Sequence, residues 1–322
     1  MPRVDSKEKR ALVEAALGPV RELCRACRLC GRECGVARLR NEPGFCATDS
    51  GNPERVRYSS ATLHFGEEPP LVGRGGSGTV FFTHCNLRCV YCQNYQISQL
   101  GLGENAGYMT LAEDMLRLER AGAENINLVT PTHYVLPILL ALREAYGQGL
   151  TRPIVYNTNG FDSLSLLTLL DGIVDIYLPD VKYSDPTCAL TYSNARHYPE
   201  VARAAVLEMY RQAGPLKQID GVAAKGLIIR HLVLPEDQSG SYDFLLWLKD
   251  MGLVDVTLSI MRQYSPQHLA MEYEHIARPA TDKEYVDVVQ YAARLGFQDL
   301  LVQGADSTGV YLPDFARDDP FA

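Results

Sequence analysis

The chain has 322 residues, 46% of them hydrophobic and 22% charged, which is the balance of a globular protein able to bury a substantial core. Thirty-nine acidic against 31 basic side chains give a formal charge of −8, which argues against sequence-independent nucleic-acid binding, because that needs a basic surface to displace counterions. No run approaches the roughly 20 apolar residues that span a bilayer, and residues 1–18 lack the apolar core of a signal peptide, so a cytoplasmic protein without membrane or nucleic-acid partners is expected.

Residues 1–22 read as a short helix with Leu12, Val13, Ala16 and Leu17 on one face. Residues 23–75 are rich in Cys, Gly and Pro with little periodicity, and Asn41-Glu-Pro-Gly-Phe45 and Glu67-Glu-Pro-Pro70 read as loops. Residues 1–75 are therefore expected to form a Cys-rich, metal-binding extension. From Gly76 the pattern changes to short apolar strands at 79–83, 126–130, 154–157, 173–178, 226–234, 256–260 and 300–303. Amphipathic helices separate them: one carries Leu111, Met115 and Leu118, another Tyr134, Ile138, Leu139 and Leu142, a third Tyr285, Val288, Val289, Ala292 and Leu295. Such alternation predicts an α/β fold over 76–305, a parallel sheet covered by helices, arranged as a complete or partial β/α barrel or as an open doubly wound sheet. Residues 306–322 read as a polar tail. In either architecture functional loops gather at the carboxyl ends of the strands. Those ends are polar here: Thr83-His84, Thr130-Pro-Thr-His133, Asn157-Thr-Asn-Gly160, Asp180-Val-Lys182, Arg230-His231 and Gln263-Tyr264.

Nine cysteines require an explanation, and eight fall in two tight groups before residue 93, which favours shared metal or cluster sites over disulfides. Cys85-x3-Cys89-x2-Cys92 follows the first of the seven strands directly. Three thiolates on one loop can bind three irons of a [4Fe-4S] cube and leave the fourth iron open. The rival reading of the spacing alone is a zinc knuckle or an incomplete four-cysteine site. Cys27-x2-Cys30-x3-Cys34, followed by Cys46, supplies four ligands with Cys24 spare. That set suits a second iron–sulfur cluster or a structural zinc equally. Its segment holds too few apolar residues to fold alone, so a metal staple is expected.

The CxxxCxxC spacing, with aromatic Tyr91 before the last cysteine and a strand before the first, resembles the signature of the radical S-adenosylmethionine (SAM) superfamily. Glu67-Glu-Pro-Pro70, Gly76-Ser-Gly-Thr79, Cys92-Gln-Asn94, Thr130-Pro-Thr-His133, Asn157-Thr-Asn-Gly160, Leu178-Pro-Asp-Val-Lys182 and Ile229-Arg-His-Leu-Val-Leu-Pro235 extend the resemblance over nearly the whole chain, to the pyruvate formate-lyase activating enzyme-like branch. The resemblance implies a partial (β/α)6-type barrel, a [4Fe-4S] cluster on Cys85, Cys89 and Cys92, and SAM bound at the open iron. It implies reductive cleavage of SAM, hydrogen abstraction from a substrate, and a reductant such as flavodoxin or ferredoxin. The branch suggests the glycyl residue of a glycyl-radical enzyme as substrate; a small molecule or peptide is the alternative, and a non-catalytic iron–sulfur electron-transfer protein is the rival from another class.

Members of the superfamily usually end the second strand in Gly-Gly-Glu, which orients the SAM amino group. This chain has Thr130-Pro-Thr-His133 there, so Thr130 and Thr132 are expected to take that place. Lys182 or Arg230 is expected at the SAM carboxylate, Asp180 at a cation or ribose hydroxyl, and Asn159 at the nucleoside, with ordinary strand-end salt bridges as the plainer reading. His133 and His231 are candidates for contact with SAM or substrate. Tyr134, Tyr156, Tyr177 and Tyr264 are expected to wall the cleft against water. Cys188 reads as a buried thiol.

Overall fold

The structure, a computed structural model, describes residues 1–48, 52–307, 312–317 and 320–321, so part of the 306–322 tail lies outside the described residues. In chain order the elements are α1 (Ser6–Arg25), β1 (Arg55–His64), α2 (Pro69–Val72), β2 (Ser77–Phe82), α3 (Tyr95–Ser98), β3 (Glu104–Gly107), α4 (Tyr108–Arg120), β4 (Ile126–Val129) and α5 (Val135–Gly147). They continue with β5 (Ile154–Thr158), α6 (Leu164–Leu169), β6 (Ile176–Pro179), α7 (Pro186–Ser193), α8 (Tyr198–Ala213), β7 (Lys217–Ile219), β8 (Val222–Leu232), α9 (Ser241–Asp250), β9 (Thr257–Met261), α10 (Asp282–Leu295) and β10 (Leu300–Val302).

Seven strands run parallel in the order β2-β4-β5-β6-β8-β9-β10, which is their order in the chain. A doubly wound sheet would reverse direction at an internal strand. This one winds a single way and its two ends share no hydrogen bonds, so it is a partial barrel. All seven expected strands are present, although β6 begins at Ile176 because Ile173 and Val174 close the turn that follows α6. The narrowest joint is β6 to β8, where only Ile176↔Gly226 and Tyr177↔Leu227 pair before a lone bridge at Asp180↔Arg230.

The N-terminal segment is woven into this frame. α1 starts at Asp5, whose carboxylate accepts from the Lys7 and Glu8 N–H groups, and runs to Arg25, three residues past the expected end. Its buried Val13, Ala16, Val20 and Leu23 pack with Ile138, Leu142 and other core residues. Lys9 Nζ reaches through to Asp175 at 2.6 Å and to the Gly172 and Ile173 carbonyls. β1 lies antiparallel to β2, and β3 pairs antiparallel with β1. No strand was expected in 55–64, since its residues are mostly half-buried without the period-2 alternation of a one-sided strand. Among the described residues no helix is long and apolar enough to cross a membrane.

Candidate active site and second cysteine site

The chain leaves β2 in a tight loop, with His84 and Arg88 at left-handed φ values of 64° and 61°. These turns bring Cys85, Cys89 and Cys92 onto one cavity of about 150 Å³ at the carboxyl ends of the strands. Each sulfur meets a polar neighbour from a different element. Asn159 Nδ2 donates to Cys85 Sγ at 3.3 Å and Ser193 Oγ to Cys89 Sγ at 2.9 Å, while Ser98 Oγ stands 3.1 Å from Cys92 Sγ. Burial pushes the Cys89 thiol up, and that of Cys92 up to about 12. A buried thiol of this kind becomes a thiolate when a metal replaces its proton. Among the described residues no three His, Cys, Asp or Glu side chains are gathered at metal-binding distance. The fit to an iron–sulfur cluster therefore rests on the donor set: three thiols of one loop facing one cavity. In the same wall Gln99 Nε2 is buried and makes no hydrogen bond, a donor without an acceptor in the protein.

Thr130, Asn159, Asp180, Lys182 and Arg230 line this cavity with the three cysteines. Asp180 accepts from Arg230 Nε at 2.7 Å and from Lys182 Nζ at 2.8 Å. Burial alone would raise the Asp180 carboxyl, but Arg230 and Lys182 outweigh it and hold it below the usual range. Burial likewise works against charge on Lys182 and Arg230, yet the facing carboxylates keep both raised. Arg230 also donates to Asn157 Oδ1 at 2.7 Å and lies 3.5 Å from Glu67 Oε2. Thr130 has φ 59°, a strained conformation for a β-branched residue, and its N–H is tied to the Asn157 carbonyl. A second chamber of about 690 Å³ adjoins the first, sharing Asn157, Asp180, Lys182 and Arg230 and adding His64, Glu67, Glu68, Ser259 and Gln263. Burial raises the Glu68 carboxyl, which accepts from Ser259 Oγ at 3.0 Å.

Thr132 does not join this lining. Its hydroxyl donates to Asp162 Oδ1 at 2.7 Å, as do Tyr156 OH at 2.9 Å and, to Oδ2, Thr158 Oγ1 at 2.5 Å. Burial raises Asp162, and this knot fixes the loops after β4 and β5 from behind. His133 and His231 are also interior residues, and this corrects the expectation of a cleft contact. His133 Nε2 lies 2.9 Å from the Thr83 carbonyl; His231 bonds the Val181 carbonyl and Ser241 Oγ. Burial lowers them to about 3 and about 4. Of the four tyrosines, Tyr264 lines the cavity, whereas Tyr134, Tyr156 and Tyr177 pack in the main core. Cys188 is half-buried and reaches Gln238 Oε1 at 3.6 Å.

The second cysteine group surrounds Arg38. Its guanidinium donates to Cys27 Sγ at 2.8 Å, Cys46 Sγ at 2.7 Å and Thr48 Oγ1 at 2.7 Å. Cys34 Sγ lies against Gly44, where a β-carbon would stand 3.2 Å from the sulfur. Cys24, Cys27, Cys30 and Cys46 are buried and Cys34 is exposed. Burial pushes Cys24 and Cys30 up to about 12. It also raises Cys27, against the pull of Arg38. The group is stitched to the Cys85 end of the barrel by Gly31 N–H to the Phe161 carbonyl (3.1 Å), Ser163 N–H to the Leu29 carbonyl (3.3 Å) and Arg32 Nε to the Asn86 carbonyl (2.9 Å). Sequence reasoning missed Asn86, Gln99, Ser98, Ser193, Arg38 and Asp162. Asn86 stands between Cys85 and Cys89 and reads as a spacer, and the rest are single polar residues without a motif.

Residues 79–223 match the model of the radical SAM superfamily. The superfamily implies an enzyme with a [4Fe-4S] cluster and SAM, which typically needs a reductant. The chain is also 28% identical over 291 residues to an uncharacterised protein of Methanocaldococcus jannaschii, an alignment covering 88% of this chain and 79% of the relative.

Proposed function

We propose that Cys85, Cys89 and Cys92 hold the [4Fe-4S] cluster and that the strand-end residues of the same cavity bind SAM against it. The observation that carries this reading is the convergence of three thiols from one loop with Thr130, Asn159, Asp180, Lys182 and Arg230 from four strand ends. When bound, the cluster supplies the electron that cleaves SAM to methionine and a 5′-deoxyadenosyl radical, which takes a hydrogen atom from the substrate. Lys182 and Arg230 offer positive charge to the methionyl carboxylate, each already oriented by Asp180. Thr130 takes the place of the superfamily's usual Gly-Gly-Glu at the end of β4. Gln99 Nε2 and Asn159 offer donors to the nucleoside. Tyr91 and Tyr264, packed edge to face at 5.7 Å, help exclude water. Cys27, Cys30, Cys34 and Cys46 hold a second metal, an iron–sulfur cluster or zinc.

The substrate occupies the adjoining chamber of about 690 Å³, which has room for an extended peptide segment such as the glycyl loop of a glycyl-radical enzyme. A small molecule or free peptide is the alternative occupant. The test uses anaerobically reconstituted, reduced full-length protein: iron, sulfide and zinc are counted, then 5′-deoxyadenosine release from SAM is followed beside a Cys85/Cys89/Cys92→Ala variant. Release that vanishes in the variant supports the reading. A loaded cluster that neither binds nor cleaves SAM sinks it in favour of an electron-transfer protein. Release accelerated only by a glycyl-radical enzyme supports the activase reading, and indifference to one favours a small substrate.

A further inference from the structure

The loop that carries Cys85, Cys89 and Cys92 is docked on the end of α7. Val90 N–H donates to the Tyr192 carbonyl at 2.9 Å. Arg32 ties the same two segments together, donating to the Asn86 carbonyl at 2.9 Å and to the Ser193 carbonyl at 3.1 Å. Ser193 is the last residue of α7, which Asn194 closes in the left-handed conformation at φ 49°. Backbone contacts before and at Ser193 thus hold its side chain against the loop.

Ser193 is wholly buried, and its hydroxyl lies between two partners, Cys89 Sγ at 2.9 Å and Tyr183 OH at 2.7 Å. A sulfur that ligates a metal has lost its proton and can only accept, so Ser193 donates to it. The one hydroxyl hydrogen of Ser193 is then used, and Tyr183 must donate to Ser193. Tyr183 is 1% exposed. The two hydroxyls therefore stand in line behind Cys89 and away from water, where one hydrogen bond polarises the next. Among the described residues this contact is the shortest of the three, against 3.3 Å from Asn159 to Cys85 and 3.1 Å from Ser98 to Cys92. Alanine and phenylalanine would fill the same space without burying two hydroxyls.

Resting on the reading of Cys85, Cys89 and Cys92 as ligands of a [4Fe-4S] cluster, we propose that Ser193, backed by Tyr183, sets the cluster's reduction potential through the Cys89 sulfur. A hydrogen bond to a ligand sulfur stabilises the more negative, reduced form above the oxidised one, so it raises the potential. The hydroxyl hydrogen stays on Ser193 in both forms. Ser193 does not line the cavity, and it is a positioning residue that acts through Cys89.

The test is an anaerobic redox titration of the loaded full chain with titanium(III) citrate, which gives up one electron per metal ion. It follows the electron paramagnetic resonance signal that the Cys85/Cys89/Cys92→Ala variant lacks. Ser193→Ala should lower the equilibrium constant for reduction about tenfold, a shift of about 59 mV to more negative potential. Ser193→Thr keeps the hydroxyl and should restore most of that shift. Tyr183→Phe keeps the ring and the Ser193 donor, and should lower the constant about twofold. A Ser193→Ala potential equal to or above the parent's, or a Ser193→Thr shift as large as that of Ser193→Ala, would overturn the proposal. A role in packing alone changes stability and leaves the potential where it was. If Ser193→Ala does not fold, Tyr183→Phe decides: a negative shift supports the proposal and a potential equal to the parent's overturns it. Release of 5′-deoxyadenosine by the parent reports the cluster reading separately. A parent that cleaves SAM with a potential indifferent to Ser193 refutes this inference alone, and a parent that loads no cluster refutes both.

Discussion

Arg230 Nε donates to Asp180 Oδ1 across 2.7 Å at the joint where β6 and β8 have nearly stopped pairing. A side-chain ion pair thus continues the sheet where backbone bonds give out, and the same two residues line the cleft. Asp180→Asn leaves Arg230 and Lys182 largely buried with diminished countercharge. A loss of about 3 kcal/mol is expected in urea unfolding at pH 7, at the low end for broken buried pairs because the cleft admits some water. Asp180 is held low in the fold, so its contribution is present above the unfolded value near pH 4 and is lost as pH falls through the folded one. The gap between wild type and variant should therefore narrow below about pH 4; a gap independent of pH would refute the charge argument.

His133 and His231 act over a different window. Both are kept neutral by burial, at about 3 and about 4, while unfolded imidazoles titrate near 6.5. Below about pH 6.5 the unfolded chain takes up protons that the fold refuses, so stability falls with pH until the folded values are reached. Raised carboxyls such as Asp162 and Glu68 work in the opposite sense, which makes the difference against a variant the informative quantity. Relative to wild type, His231→Gln should recover about 1 kcal/mol between pH 7 and pH 5.5. Parallel curves would mean that His231 titrates normally.

Thr130→Gly removes a β-branched residue from φ 59°. Relief of that strain should outweigh the entropy of the added glycine and raise stability by about 1 kcal/mol. If the strain serves to aim the Thr130 side chain or peptide into the cavity, SAM affinity measured by equilibrium dialysis should weaken several-fold in the same variant. A variant less stable than wild type would show that the conformation is not strained.

Gly31→Ala places a methyl group 2.5 Å from Cε2 of the Phe161 ring, at the seam between the two cysteine groups. Either the ring or the 28–31 segment must shift, at a cost of about 1–3 kcal/mol. The metal proposed for the N-terminal cysteines should then exchange faster into a chelator than in the parent. An unchanged exchange rate would mean that the seam does not govern that site.

Much of this architecture could be read from the residues. The strands at 79–83, 126–130, 154–157 and 226–234 announced themselves because buried parallel strands are short, continuous apolar runs. The Cys85, Cys89 and Cys92 loop was legible from spacing, and Asp180, Lys182 and Arg230 from their place at strand ends. Pairing was not legible: nothing in the sequence says that Arg230 answers Asp180 and Glu67, or that Thr132 faces Asp162 instead of the cavity. Those relations depend on which way each loop turns after its strand. β1 was hidden for a different reason. Its neighbours on both sides are strands and α4 crosses it, so Val56 alone is fully buried and no alternation survives.

That hidden strand means the composition boundary near residue 76 is not a place to cut. A chain shortened to start there would lose the partner of β2 from His64 back to Tyr58. It would present a bare, wholly buried-type ladder of Ser77 to Phe82 to solvent. Such an edge pairs with whatever strand it meets, and the first available is the same edge of another copy. The truncated barrel should be recovered as aggregates, whatever the fate of its cysteines.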